Sequence, residues 1–391
     1  MKEIFRKAVP VLEKLEQAGF EAYFVGGSVR DVILGRDVAD IDIATSAFPE
    51  EVKQIFTRTF DTGIEHGTVS VLEAGEIYEI TTFRTEGTYA DFRRPDEVTF
   101  IRSLEKDLER RDFTMNAIAM GLDGHFIDPF GGQEDMRKRQ IRAVGKPWER
   151  FNEDALRMMR GVRFVSQLQF QLEVDTYAAM QQNRALLENI AVERIAVELV
   201  KLMKGQAVKE GLKLLAELDM LPFLPGFQEK ASAVEALQKW HLEDLQEETV
   251  IWFVLVLALE PENITSLLRA WKLPNKLIRD VTKAMDNVEK IEWSDYELFS
   301  TGLETVRLID YGQYVRTGKS QWEALRARFL ALPIQSRNDV QASGNDVMAW
   351  TSKTGGPWLK ELLARLDQAI IEGDIANNQE EIKGWVKHVI N

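Results

Sequence analysis

The stretch VGGSVRDVILGRDVADIDIAT, residues 25–45, decides how the chain is read. It opens on a glycine pair, carries an Arg-Asp step, and closes on Asp40 and Asp42 with one isoleucine between them. The flanking runs AYFVGG (22–27) and DIDIAT (40–45) have the apolar, β-branched character of strands. Residues two apart on a strand share a face, with Cα atoms about 6.6 Å apart, so Asp40 and Asp42 aim two like charges at one place. Burial and mutual repulsion both disfavour that arrangement unless a cation joins it. The spacing suits two divalent ions about 3.5–4 Å apart, a device that clamps the attacking and leaving oxygens of phosphoryl or nucleotidyl transfer. The segment offers carboxylate oxygens with no His or Cys beside them, so Mg2+ is the expected ion. Taken alone, the Asp-x-Asp pattern reads equally as a solvated strand end.

The context upstream weighs against that plain reading. Gly26 and Gly27 follow a strand and precede a short helix expected to start near Ser28 and stop at Gly35. Glycines let backbone amides approach phosphate oxygens, and a helix start supplies unpaired N–H groups. Arg30 lies in the first turn, where its guanidinium can fork onto a triphosphate. A phosphate cradle about ten residues ahead of a two-metal acid pair forms one working unit.

Working outward, residues 1 to about 130 read as mixed α/β, with strands also expected at GTVSVL (67–72), IYEITTF (77–83) and AIAMGL (117–122). From Asp135 onward helical periodicity dominates, with Pro357 a first-turn proline and Gly373 a helix stop. The fold class expected is α+β: a small mixed head followed by a long all-helical remainder, divided as 1–136, 137–200, 201–300 and 301–391. At 391 residues the chain is too long for a single core. It has no cysteine, which excludes disulfides and thiolate metal sites and fits a cytoplasmic setting. The first 20 residues read as an amphipathic helix rather than a signal peptide, and VIWFVLVLAL (250–259) is too short to span a membrane, so it is expected as a buried helix. The net charge of −14 argues against a polyanionic partner, yet residues 137–163 hold nine Lys/Arg against three Asp/Glu. Such a basic band can grip a polyanion within an acidic chain. RTEGTYADFRRPDEV (84–98) has no period and is read either as a surface hairpin loop or as a mobile element beside an active site.

GGSVRDVILGRDVADID resembles the nucleotidyltransferase superfamily that includes DNA polymerase beta, and more closely the class II tRNA nucleotidyltransferases and their relatives the bacterial poly(A) polymerases. Further motifs follow in the family's order: RRDFTMNAIA (110–119), DPFGG (128–132), EDALRMMRGVRF (153–164) and ERIAVEL (193–199). Beyond about residue 200 only a general helical character matches. The resemblance implies a catalytic head, a helical neck for base recognition, a body, and a tail for tRNA. It implies that Arg111 and Asp112 contact the incoming nucleotide, with Asn116 supporting Asp112; an ion pair capping a helix FTMNAIAM is the competing reading, and that helix also competes with the strand expected at 117–122. Arg160 and Arg163 face its phosphates or the primer end, the alternative being a solvated basic face. A third carboxylate, Glu79 on IYEITTF, either deprotonates the attacking hydroxyl or completes the metal site, or else is a solvent-facing strand residue. His66 reads as structural.

The fourth motif has a physical rationale. Asp154 and Arg157 lie three apart and would be neighbours on one helix, an acceptor beside a donor. Cytosine and adenine each present an amine donor beside a ring-nitrogen acceptor; guanine and uracil present the reverse. Each reversed contact leaves buried polar groups unpaired at about 1–3 kcal/mol apiece. One pair of side chains would thus accept CTP and ATP and refuse GTP and UTP without a template. A surface salt bridge from Glu153 or Asp154 to Arg157 is the plain alternative. The expected activity is addition of C, C and A to the 3′ end of tRNA, the acceptor arm held by shape and backbone, with no membrane partner and a homodimer admitted. Rival readings are a poly(A) polymerase, which would carry a long basic extension; a CC-adding enzyme, which would lack much of the 84–98 loop; a small-molecule nucleotidyltransferase; and an RNA-binding module with an inactive head.

Overall fold

A computed structural model describes residues 2–38, 40–86, 98–228 and 230–390. It comprises two compact units, Met1–Val234 and Glu235–Asn391. In the first, helix α1 (Glu3–Gln17) buries Phe5, Ala8, Val11, Leu12 and Leu15, an apolar stripe at helical spacing. The stripe lies on a seven-stranded sheet, with the Phe5 ring edge-on to Phe24 at 4.9 Å.

The strands are β1 (Ala22–Val25), β2 (Asp42–Thr45), β3 (Thr59–Gly63), β4 (Thr68–Glu73), β5 (Glu76–Thr82), β8 (Ala119–Met120) and β9 (Phe126–Ile127); β6 (Arg84–Glu86) and β7 (Val98–Phe100) form a separate antiparallel ribbon. Sheet order is β3-β4-β5-β2-β1-β8-β9, and β2–β5 is the parallel pair. Helix α2 (Gly26–Ile33) follows β1 directly, so the glycine pair belongs to the helix rather than to the strand, two residues earlier than expected from Ser28. Ser28 Oγ donates to the Val25 carbonyl at 2.8 Å and ties that helix start to the strand. The competition over FTMNAIAM resolves toward a strand: a single 3₁₀ turn, Thr114–Asn116, leads into β8, which pairs Met120 with Phe24 and Ala119 with Val25. Strand β3 escaped the sequence reading because it is a mostly exposed edge strand without an apolar alternation. The tip of the 84–98 loop lies outside the described residues.

Helices α3 (Pro49–Ile55), α4 (Leu104–Glu109) and α5 (Gly132–Arg137) complete the head; α6 (Pro147–Glu153), α7 (Leu156–Leu168), α8 (Val174–Asn183), α9 (Val192–Met203) and α10 (Val208–Glu217) follow. This part is not wholly helical, since Gln140–Ile141 and Gln171–Leu172 pair as two short parallel strands. In the second unit, Glu248–Leu259 is the buried helix expected from its apolar run, with Trp252 and Trp271 rings 5.0 Å apart. Pro357 opens the helix Pro357–Ile371, and Gly373, at φ +79°, lies just past its end. Among the described residues no helix is long and apolar enough to cross a membrane.

DPFGG gains a structural reason here. A Cβ on Gly132 would stand 2.2 Å from the Thr114 carbonyl oxygen, on the 3₁₀ turn that presents Asn116. Gly132→Ala must push α5 off that turn, and it is expected to lower stability by about 1–3 kcal/mol, read as a shift of the urea midpoint.

Candidate active site

The site begins with a register. Val25 stands opposite Asp42 across β1–β2, and Asp42 stands opposite Glu79 across β2–β5. Gly26, the next residue after Val25, therefore lies against the Asp42 carboxylate. Its φ is +71°, and a Cβ there would sit 3.1 Å from Asp42 Oδ2 and 3.2 Å from Arg111 Nη1. Only glycine fits that conformation and that space. Asp40 lies just ahead of β2, and with Asp42 and Glu79 it borders one opening at the end of the sheet. Asp42 is exposed on the cleft wall, and the crowding of protein around it still pushes its carboxyl up; Arg111 pulls the other way, while Glu79 and Asp40 push it further. Two acids and one arginine thus act on the Asp42 carboxyl.

Asp42 also borders a cleft of about 1080 Å³ in the first unit, which contains Gly26, Gly27, Arg30, Arg111, Asp112, Asn116, Asp154, Arg157, Arg160 and Arg163. Every nucleotide-site residue expected from sequence thus lines one cavity. Nine Arg and Lys side chains border it against three Asp, so an acidic chain presents a cationic hollow, fit for a polyphosphate.

Most of those cations are already braced. Arg30 donates to Asp31 at 2.9 Å and to Asn116 Oδ1 at 2.9 Å. Asn116 in turn donates to Asp112 Oδ1 at 3.0 Å, and Arg160 donates to Asp112 Oδ2 at 2.7 Å. Burial alone would raise the Asp112 carboxyl, but Arg160 and the Asn116 amide overcome it and hold it far below the usual carboxylate range. Arg163 pairs with Glu198 at 2.9 Å; burial, and then the nearby Arg160 charge, bring its guanidinium down to about 10. Asp107, 1% exposed, receives Arg110 and Arg111; burial works against its charge, and the two cations still hold its carboxyl low.

The solvated basic face, held as the alternative for Arg160 and Arg163, is not what the structure shows: Arg163 is 6% exposed, and Arg160 is part-buried against Asp112. Nor do Asp154 and Arg157 share an unbroken helix over 153–164. Helix α6 ends at Glu153, and Asp154 is extended (φ −140°, ψ 102°). The cause lies in its own side chain: Asp154 Oδ1 accepts from the Leu156 amide at 3.0 Å and starts α7, the usual work of an Asp at a helix start. Asp154 Oδ2 accepts from Arg194 at 2.7 Å, while Arg157 is held by Glu153 at 2.7 Å and by the Arg110 carbonyl at 2.8 Å. The Glu153–Arg157 salt bridge foreseen as the plain alternative exists, and it fixes a cation that also borders the cleft.

Sequence reasoning passed over Arg194, quoted within ERIAVEL without a role, and Phe164, whose ring has Arg30, Arg160 and Arg163 guanidinium carbons at 5.2, 5.6 and 4.2 Å. The spacing Arg160-x-x-Arg163-Phe164 was the available signal. His66 also borders the cleft.

The donor set beside Asp42 is all carboxylate, which fits a hard divalent ion. Among the described residues no three acids or histidines converge on one point, and such ions commonly take one or two carboxylates with substrate oxygens completing the shell.

Fold and cleft define the head as that of a nucleotidyltransferase, and the Poly A polymerase head domain matches residues 22–142. The "Probable RNA and SrmB- binding site of polymerase A" matches 169–230, and "tRNA nucleotidyltransferase domain 2 putative" matches 243–386. The CCA-adding enzyme of Listeria innocua is 51% identical over 388 residues, 99% of each chain, and that of Geobacillus stearothermophilus 46% over 395 residues, 99% of this chain and 97% of its own. A crystal structure of the Bacillus stearothermophilus CCA-adding enzyme in complex with CTP superposes with TM-score 0.92 at 43% identity, covering 100% of this chain and 98% of that one. The chain belongs to the CCA-adding enzyme family. Membership implies dependence on a divalent metal.

The Asp112 carboxylate is held low in the native state, so its stabilising contribution is complete above the unfolded pKa of about 3.9 and is lost as pH falls below it. Asp112→Asn leaves the Arg160 guanidinium without its countercharge and is expected to cost on the order of 2–3 kcal/mol at pH 7. Urea titrations at pH 7 and at pH 3 check this: the gap between parent and variant narrows at the lower pH.

Proposed function

We propose that the protein adds C, C and A to the 3′ end of tRNA from CTP and ATP without a nucleic-acid template, releasing pyrophosphate. The observation that carries this is the register that sets Gly26 and Glu79 on either side of Asp42, which itself borders a cationic cleft together with Gly26, Asp154 and Arg157. Full-length likeness to CCA-adding enzymes, one of them solved with CTP, supports the substrate assignment. A CCA-adding enzyme from Thermotoga maritima, solved with tRNA, also shares the architecture. The Thermotoga likeness, at 20% identity, speaks for the fold alone.

In this reading Asp40 and Asp42 hold the divalent ions, with Mg2+ the ion that suits carboxylate oxygens. Bound there, such ions would activate the 3′-hydroxyl and stabilise the departing pyrophosphate. Glu79, opposite Asp42, takes part in proton removal or in metal binding. Gly26, Gly27 and Arg30 receive the triphosphate, Arg111, Asp112 and Asn116 hold the sugar side, and Arg160 and Arg163 supply positive potential. Asp154 accepts the exocyclic amine of C or A, and Arg157 donates to the ring nitrogen. The head (1–136) performs the chemistry, the neck (137–200) chooses the base, and body (201–300) and tail (301–391) hold the acceptor arm.

A tRNA transcript lacking its last three nucleotides tests the reading. Three added residues, requiring both CTP and ATP, support it; a long A tail, or arrest after two C, refutes it. Asp42→Ala is expected to lower CMP incorporation by on the order of 10³-fold; equal rates would exclude the acid pair from catalysis. Asp154→Ala is expected to raise UTP use relative to CTP by about tenfold or more, measured as the ratio of kcat/KM values.

A further inference from the structure

We infer that the hydroxyl pair Thr68–Thr81 seats the terminal ribose of the RNA strand being extended and reads its 2′-hydroxyl. This rests on the nucleotidyl-transfer reading above and adds a substrate contact that none of the sequence motifs contains.

Strand order carries the first step. An in-line displacement at phosphorus sets the attacking oxygen opposite the leaving group. Gly26, Gly27 and Arg30 lie on the β1 side of Asp42, so the pyrophosphate leaves toward β1 and α2. The attacking 3′-hydroxyl must then approach from the other side, where β5 and then β4 follow β2 in the sheet. The face of β5 beside Asp42 presents Glu79, and two residues further on Thr81, opposite Ala44. Thr81 stands across from Thr68 on β4, their hydroxyls 3.0 Å apart, and both side chains border the cleft that holds Asp42 and Gly26.

Chemistry carries the second. When two hydroxyls bond to each other, one proton is used between them and one remains, together with free lone pairs. The pair can therefore donate to and accept from a third hydroxyl, and a ribose 2′-hydroxyl is both donor and acceptor. Arg84 also borders this wall among the described residues, and it donates to the His66 carbonyl at the turn that leads into β4. A neutral hydrogen-bonding surface beside the attack path fits a sugar rather than a phosphate. A purely structural role would be a cross-strand Thr–Thr bond worth a few tenths to 1 kcal/mol, with no effect on sugar preference.

The test uses the full chain and two tRNA transcripts lacking CCA, one ending in a ribonucleotide and one in a 2′-deoxynucleotide with its 3′-hydroxyl kept. The ratio of kcat/KM for the two ends is measured with CTP. The parent is expected to favour the ribo end by about fivefold or more, the range of a neutral hydrogen bond. Thr81→Val removes the hydroxyl at constant shape and should bring the ratio close to one while leaving KM for CTP unchanged; Thr81→Ser should keep the preference, and Thr68→Val, which breaks the pair from its other half, should lower it. A parent with no preference, or Val variants that fold and keep the parental ratio, overturns the inference. A parent that adds CMP to neither end overturns the reading of function instead.

Discussion

The strand register across β1, β2 and β5 is the constraint on which the cleft depends. Val25 opposite Asp42, and Asp42 opposite Glu79, bring a left-handed glycine, a central acid and a second acid into one row. A slip of one residue in either pairing would turn Asp42 into the core side of the sheet, where Ile41 and Ile43 now lie buried. The alternation of acid and isoleucine is thus a register lock as well as a chemical device. Burying an isoleucine on each side of Asp42 forces the carboxylate onto the exposed cleft face, where the neighbouring acids Glu79 and Asp40 make its charge costly. The same three residues set the register of the sheet and, on the proposed reading, the place where a cation would bind.

Around that row the protein has built a lattice of ion pairs whose members come from different elements. Asp112 from the head takes Arg160 of α7; Glu198 of α9 takes Arg163; Arg194 of α9 takes Asp154; Glu153 of α6 takes Arg157. Such pairs add little net stability once desolvation is counted, but breaking one strands a charge. They serve here to fix direction. An arginine on a long flexible stem reaches many places; one with its fork occupied by a carboxylate or a carbonyl reaches one. The cleft's positive potential is therefore preorganised, with side-chain freedom already spent in folding rather than at binding.

How much of this was legible in sequence follows from which interactions are local. Asp42, Gly26 and Gly27 were readable because strand period and the glycine pair are properties of neighbouring residues; strand period misjudged Asp40, which stands ahead of β2 rather than on it. The buried helix at 248–259 was readable from composition alone, since its face is apolar all round. The break at Asp154 was not, because Arg157, Arg160 and Arg163 continue the three-residue spacing straight through it. What ends α6 is a competition, won by the Asp154 side chain capturing the Leu156 amide, and an uninterrupted helix satisfies the same pattern. The inward turn of the arginine stripe was hidden for a related reason: its partners Asp112 and Glu198 lie 48 and 35 residues away from the arginines they meet, and periodicity carries no information about partners at that distance.

The break at Asp154 changes the physics of base choice on the proposed reading of Asp154 and Arg157. On a continuous helix Asp154 and Arg157 would share one rigid surface, and their separation would be set by helical geometry. Here they are held independently, Asp154 by the Leu156 amide and Arg194, and Arg157 by Glu153 and the Arg110 carbonyl. Their relative aim then depends on how α6, α7 and α9 pack together, and a small displacement of α9 would move the acceptor without moving the donor. If the same two side chains serve a pyrimidine and then a purine, as proposed, the site benefits from that independence, because the two bases place the amine and the ring nitrogen at different distances from the sugar. The Arg194 contact lies at the point where such an adjustment would act, so on the proposed reading the fifth motif would reach base selection through Asp154.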